Sequence, residues 1–126
     1  MTNTARRPVH LNLFKIRLPI GGIMSIIHRA TGMFMFLALP YLIYLLALSL
    51  SGPEGYARAA ASLHSLPGML FVFLIMWSLA HHLLAGIRYL LIDVDLGVEK
   101  EIARQTALGV IVAGPILGLL LAWGVL

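Results

Sequence analysis

The chain has 126 residues, 60% of them hydrophobic and only 11% charged, with a mean hydropathy of +0.96. Soluble domains are about half apolar and about a quarter charged, so a water-soluble fold of this size is excluded: it has too little interior to hide this much apolar surface. There are no cysteines, which excludes disulfides, thiolate metal sites and iron–sulfur ligation by this chain. The formal charge of +4 does not point to nucleic acid in so apolar a chain; the basic residues read as topology signals.

The expected architecture is all-α, a single integral membrane domain of three transmembrane helices. Residues 1–19 (MTNTARRPVHLNLFKIRLP) are polar and basic, and Pro8 and Pro19 bias their predecessors toward extended backbone. They are expected to form a non-helical arm on a membrane or partner surface. The first long apolar run follows only after this mixed segment, so no cleavable signal peptide is expected.

The first helix is expected over 20–51, with Pro19 as its first position. Its apolar part, Ala30–Leu50, is about 20 residues and long enough to span a bilayer core. Gly52-Pro53 punctuates the connection that follows, and a short interfacial helix is expected over 56–64. The second transmembrane helix is expected over 67–92, with His81, His82 and Arg88 inside an otherwise apolar span. Residues 93–104 (DVDLGVEKEIAR) are densely charged and read as an aqueous loop. The third helix is expected over 106–126; Gly114 and Gly118 have the small-xxx-small spacing that lets helix backbones approach closely.

Arg6, Arg7, Lys15 and Arg17 lie in the arm and Lys100 and Arg104 in the second connection, against Arg58 alone in the first. Six against one predicts a cytoplasmic N-terminus and an outer C-terminus.

Ionisable residues at membrane depth are costly and mark candidate sites. Ser25, His28, Arg29 and Gly32 stand at i, i+3, i+4 and i+7, one face of the first helix. A hydroxyl, an imidazole and a guanidinium there suit a quinone carbonyl or a haem propionate; the plainer alternative is an arginine that snorkels to lipid phosphates. On the second helix, Ser78, His82, Gly86, Tyr89 and Asp93 share one stripe. His82 is eleven residues from Asp93, ~16 Å along the helix and about half of a ~30 Å hydrocarbon core. Imidazole at that depth is either a haem axial ligand or a histidine hydrogen-bonded across helices; Gly86 one turn away clears space for a flat macrocycle. His81 points about 100° away, onto a face with Trp77 and Arg88, and is expected on the propionate side or in a hydrogen bond. His10 lies in the arm, His64 in the outer loop, and His28 is expected about 10 Å from the depth of His82 by helical rise. A haem held by two histidines therefore takes its second ligand from another chain.

These residues form a pattern that resembles the cytochrome b membrane-anchor subunits of succinate dehydrogenase, respiratory complex II. The resemblance is carried by Arg7-Pro8 with Leu11 and Leu13; by Ile16-Arg17-Leu18-Pro19-Ile20; by Ser25-Ile26-Ile27-His28-Arg29 with Thr31-Gly32; by Ser49 to Gly55; and by His82-x-x-x-Gly86-Ile87-Arg88 followed by Asp93. It runs in order across most of the chain; the third helix adds only hydropathy. The resemblance implies that His82 is the axial ligand of haem b, that Ser25, Ile26 and Arg29 line a ubiquinone site, that His28 and Arg29 lie near the haem propionates, and that Asp93 is an acidic residue at the cytoplasmic end of the second helix, suited to a proton path. Relatives often carry tyrosine at the place of His81 and histidine at the place of Tyr89, so the adjacent histidine pair here departs from the pattern.

The resemblance also implies partners: a second membrane-anchor subunit giving the other haem ligand, an iron–sulfur subunit, and a flavoprotein subunit holding FAD and oxidising succinate, all at a bacterial inner membrane. The function it implies is electron transfer from the iron–sulfur subunit to ubiquinone. The alternatives are a fumarate reductase anchor, a homodimeric b-type cytochrome, and a haem-free structural or transport protein. A transporter would be expected to carry a membrane-embedded carboxylate, and the first and third helices carry none.

Overall fold

A computed structural model describes residues 16–126. The arm residues Arg6, Arg7, Pro8, His10, Leu11, Leu13 and Lys15 lie outside the described residues. Four helices follow: α1 (Ile20–Ser49), α2 (Pro53–His64), α3 (Leu66–Asp93) and α4 (Lys100–Val125). Three of them, α1, α3 and α4, are long and apolar enough to cross a membrane. Their 30, 28 and 26 residues correspond to ~39–45 Å at the helical rise, so each exceeds a ~30 Å core and tilts or projects at its ends.

Pro19 sits one position outside α1, and its carbonyl accepts from the N–H groups of Gly22 and Ile23. α1 runs unbroken through Pro40, which membrane helices tolerate. It ends two residues before the expected Ser51. There the hydroxyls of Ser49 and Ser51 turn back onto the carbonyls of Leu46 and Leu48, supplying donors to backbone acceptors that a helix end leaves bare. Gly52 then takes φ +125°, open to glycine alone, and reverses the chain.

α2 begins at Pro53, three residues before the expected start. Proline in the first turn loses no bond that the helix needs, and Glu54 complements the N-terminal dipole. Tyr41 and Ser62 join their hydroxyls at 3.1 Å, pinning α2 to α1. A single residue, Ser65, turns α2 into α3, and its Oγ caps the new helix by accepting from the Gly68 N–H at 3.2 Å. The α3 bounds exceed the expected ones by one residue at each end.

The larger difference is at α4, which begins six residues before the expected Thr106. Charge alone suggested loop there. The segment instead places Glu101 in the first turn, within 3.6 Å of Arg104 and accepting from Gln105 Nε2 at 3.2 Å, pairs that support an exposed helix. The aqueous turn shrinks to residues 94–99, where Asp95 (φ 62°) and Gly97 (φ 75°) take left-handed backbone.

α3 is the central element, packed on α1 to one side and α4 to the other, with α1 and α4 also touching. Gly114 and Gly118 lie against α3, as their spacing suggested. A Cβ on Gly114 would stand 3.1 Å from His81 Cβ, and one on Gly118 would collide with the backbone of Trp77. The interior is slight: Met24, Ala85, Ala107 and Val110 form its cluster. Between 17% and 28% of each apolar span is buried within the chain, and side chains such as Phe36, Leu120 and Trp123 are 71%, 63% and 82% exposed. That surface is stable only against lipid or other apolar protein.

Candidate functional site

The two predicted clusters come together at the contact of α1 and α3. Gly32 lacks a side chain, and the His82 ring lies in the space this leaves: a Cβ at position 32 would stand 2.8 Å from His82 Cε1. His82 Nδ1–H donates to the His28 carbonyl at 3.0 Å. A carbonyl acceptor requires the proton on Nδ1, so a neutral His82 carries its free lone pair on Nε2. Thr31 Oγ1 donates to the same carbonyl at 2.9 Å.

The His28 and His82 rings stack, centroids 4.0 Å apart and planes 20° from parallel. This corrects the expected ~10 Å offset in depth. The α1 register brings Gly32 level with His82 and puts His28 one turn below, a distance that two imidazoles bridge. Face-to-face rings at this separation leave no room for an iron between them, so these two histidines are not opposed ligands of one metal. His28 Nε2 is buried without a partner among the described residues. The Gly86 backbone lies beside it, since a Cβ there would be 4.0 Å from that nitrogen. Tyr89 stands at the other side of His28, ring centroids 5.4 Å apart. The stripe of His82, Gly86 and Tyr89 is thus lined in part by α1 of the same chain. Sequence periodicity gave both faces but not their mutual contact; the signal available was Gly32, one turn beyond His28 on the same face.

His81 is not part of this group. It is 1% exposed, packed against Gly114 of α4, and its Nε2 has no partner among the described residues. The face it shares with Trp77 and Arg88 is the α4 interface: Trp77 meets Gly118, and Arg88 donates to Thr106 Oγ1 at 3.0 Å and to the Ala103 carbonyl at 2.8 Å. Arg29 and Ile26 are exposed on α1, and Ser25 is half-buried beside them. Arg29 Nε donates to the Ser25 carbonyl at 3.4 Å, a long bond. Asp93 is exposed at the last position of α3. Among the described residues no group of three or more histidine or acidic side chains could hold a bare metal ion.

The family model described as succinate dehydrogenase/fumarate reductase transmembrane subunit matches residues 3–121. The chain belongs to this family. Three curated relatives agree along most of their length. The succinate dehydrogenase cytochrome b556 subunit of Paracoccus denitrificans is 31% identical over 118 residues, covering 94% of this chain and 91% of the relative. The b556 subunit of Coxiella burnetii is 35% identical over 109 residues, covering 86% and 87%. The succinate dehydrogenase cytochrome b560 subunit of Reclinomonas americana is 32% identical over 123 residues, covering 93% and 84%. Family membership and the three apolar helices make the chain a multi-pass transmembrane subunit of the succinate dehydrogenase and fumarate reductase class.

Proposed function

We propose that the chain anchors a succinate:ubiquinone oxidoreductase in a bacterial inner membrane, with its N-terminus cytoplasmic, and that it binds haem b through His82 and ubiquinone near Ser25, Ile26 and Arg29. The observation that carries this reading is the hydrogen bond from His82 Nδ1–H to the His28 carbonyl. A metal-bound histidine characteristically fixes its tautomer by donating its other N–H to a carbonyl or carboxylate; here the remaining nitrogen, Nε2, is the one free to ligate. The residues around it fit the group in one respect: the buried His28 Nε2 lacks a partner that a propionate oxygen would supply. The names of the relatives, cytochrome b556 and b560 subunits, support a haem in this chain too.

His82 would hold haem b through Nε2, its ring positioned by Gly32 of α1 and by the stacked His28. Bound haem b supplies a one-electron store beside the quinone. His28 and Arg29 take the propionate side, where two cationic or N–H donors offset carboxylate charge. A second protein ligand would come from a partner membrane subunit, because His28 stacks on His82 and His81 is enclosed against α4. His81 serves the α3–α4 packing rather than the haem.

The quinone site is at the N-terminal end of α1. Ser25 Oγ–H donates to a quinone carbonyl, Ile26 covers an apolar face of the ring, and Arg29 stabilises the negative charge that grows on the oxygen as electrons arrive. Reduction takes two electrons and two protons. The electrons would be supplied by an iron–sulfur subunit, which would receive them from a flavoprotein subunit that oxidises succinate. Asp93, exposed at the same end of the bundle, offers a proton path to that site.

The test is the reduced-minus-oxidised spectrum of the purified complex and of two variants. His82→Ala is expected to abolish the low-spin b-type signal, whereas His81→Ala retains it. A complex without b-type absorbance, or the opposite behaviour of the two variants, overturns the assignment.

A further inference from the structure

Arg88 is within α3, five residues from its end, or about 8 Å along the helix. Among the described residues no carboxylate reaches it, and the first fifteen residues contain neither aspartate nor glutamate. Its guanidinium is held instead by two neutral acceptors on α4, Thr106 Oγ1 and the Ala103 carbonyl. A cation at the edge of the hydrocarbon core, with no carboxylate of its own, favours an anion beside it.

Arg88 does not stand alone. It lines a cavity of about 330 Å³ together with Lys100 and Arg104 of α4, and the other wall is apolar, formed by Pro19, Ile20 and Ala103. Lys100 occupies the first position of α4 and Arg104 the next turn. Basic side chains there oppose the positive end of the helix dipole. Glu101 lies 3.6 Å from Arg104 on the exposed side and Glu99 is the N-cap residue just before Lys100, but neither carboxylate lines the cavity, whose three ionisable side chains are all cations. Three cations and a helix N-terminus converging on one space are unfavourable unless an anion fills it.

The cavity is turned away from the His28–His82 contact, since Arg88 is about 120° round α3 from His82. It opens between the first residues of α1 and α4, the level at which three membrane-spanning helices meet the headgroup layer. A soluble acidic partner would be met by the exposed cations Lys100 and Arg104 alone. The recessed Arg88 and the apolar wall match a molecule with a phosphate at one end and hydrocarbon at the other. We propose that this cavity binds an anionic phospholipid, its phosphate between Arg88, Lys100 and Arg104 and its glycerol and first acyl carbons along Pro19, Ile20 and Ala103. This assignment is independent of the haem and quinone reading; it requires only that the helices span a bilayer.

The test uses the assembled complex, delipidated in detergent and reloaded with phosphatidylglycerol or phosphatidylcholine, with retained lipid counted by native mass spectrometry. The unaltered complex is expected to keep phosphatidylglycerol in preference to phosphatidylcholine. The doubly substituted Lys100→Gln/Arg104→Gln complex is expected to bind it about thirtyfold more weakly, near fivefold per surface charge. These two side chains are exposed, so the helix content by circular dichroism is expected to be unchanged; Arg88→Lys, which keeps the charge but loses the planar fork, provides a second, milder weakening. Equal retention by all forms overturns the proposal. Displacement of the lipid by inorganic phosphate at equal concentration overturns it in favour of a free-anion site. Loss of the iron–sulfur subunit from the double variant with lipid retention unchanged overturns it in favour of a protein dock.

Discussion

A methyl group at position 32 would stand 2.8 Å from His82 Cε1 and 3.2 Å from Nδ1, closer than a relaxed side chain allows. Gly32→Ala therefore forces the imidazole off its seat and lengthens its bond to the His28 carbonyl. Overpacking of this kind costs ~1–3 kcal/mol where the surroundings are tight. The expected outcome is a complex that still assembles but shows a shifted or partly high-spin haem spectrum, because the ligand is displaced rather than removed. An unchanged spectrum and potential would show that the ring does not depend on this contact. At this scale the sequence was informative about residue type and face: Ser25, His28 and Arg29 on α1, and His82 and Gly86 on α3, all followed from helical spacing. It could not give depth. Periodicity fixes the angle around an axis, whereas the level of one helix against another is set by which side chains interlock, and a missing side chain at Gly32 sets it here. The separation of His81 from His82 was legible for the same reason, since adjacent residues on a helix never share a face.

Among the elements, the three spans were legible because nothing else accounts for such long apolar runs. The start of α4 was not. Its first turn is charged, and charge marks solvent exposure without distinguishing loop from helix; the deciding contacts are the Glu101–Arg104 and Glu101–Gln105 pairs, which exist only once the helix has formed. The α3–α4 seam follows from Gly114 and Gly118, where the close approach excludes any larger residue. Gly118→Leu is expected to be strongly disruptive at this seam, since even a Cβ there meets Trp77 backbone, which has no rotamer in which to yield. Separation of the two helices should lower the thermal midpoint of the detergent-solubilised complex by several degrees and expose Trp77, whose fluorescence shifts to the red. Gly109→Leu is the matched control, because its Cβ has nothing within 4 Å; equal losses in both variants would count against close packing at the seam.

For the whole molecule, a chain with so little buried interior depends on its surroundings, and the distribution of its basic residues predicts its orientation in them. Three spans place the α1–α2 connection and the α3–α4 turn on opposite sides of the bilayer. Arg58 is the one basic residue on the first side, whereas Arg17, Lys100 and Arg104 gather at the other, and lysine and arginine are retained on the cytoplasmic face. The native chain has no cysteine, so single substitutions report position without background. Arg58→Cys removes the only opposing charge and leaves the bias intact; the residue is exposed on α2. Val98→Cys lies in the α3–α4 turn, where the side chain is 49% exposed. A membrane-impermeant maleimide applied to spheroplasts is expected to label Arg58→Cys at once and Val98→Cys only after permeabilisation. The reverse order would put the N-terminal ends of α1 and α4 outside, along with Ser25 and Arg29. A quinone site there could not receive electrons from a cytoplasmic iron–sulfur subunit, because the whole bilayer thickness of ~30 Å would separate them. The labelling order therefore tests the topology and, through it, the route by which electrons reach the site.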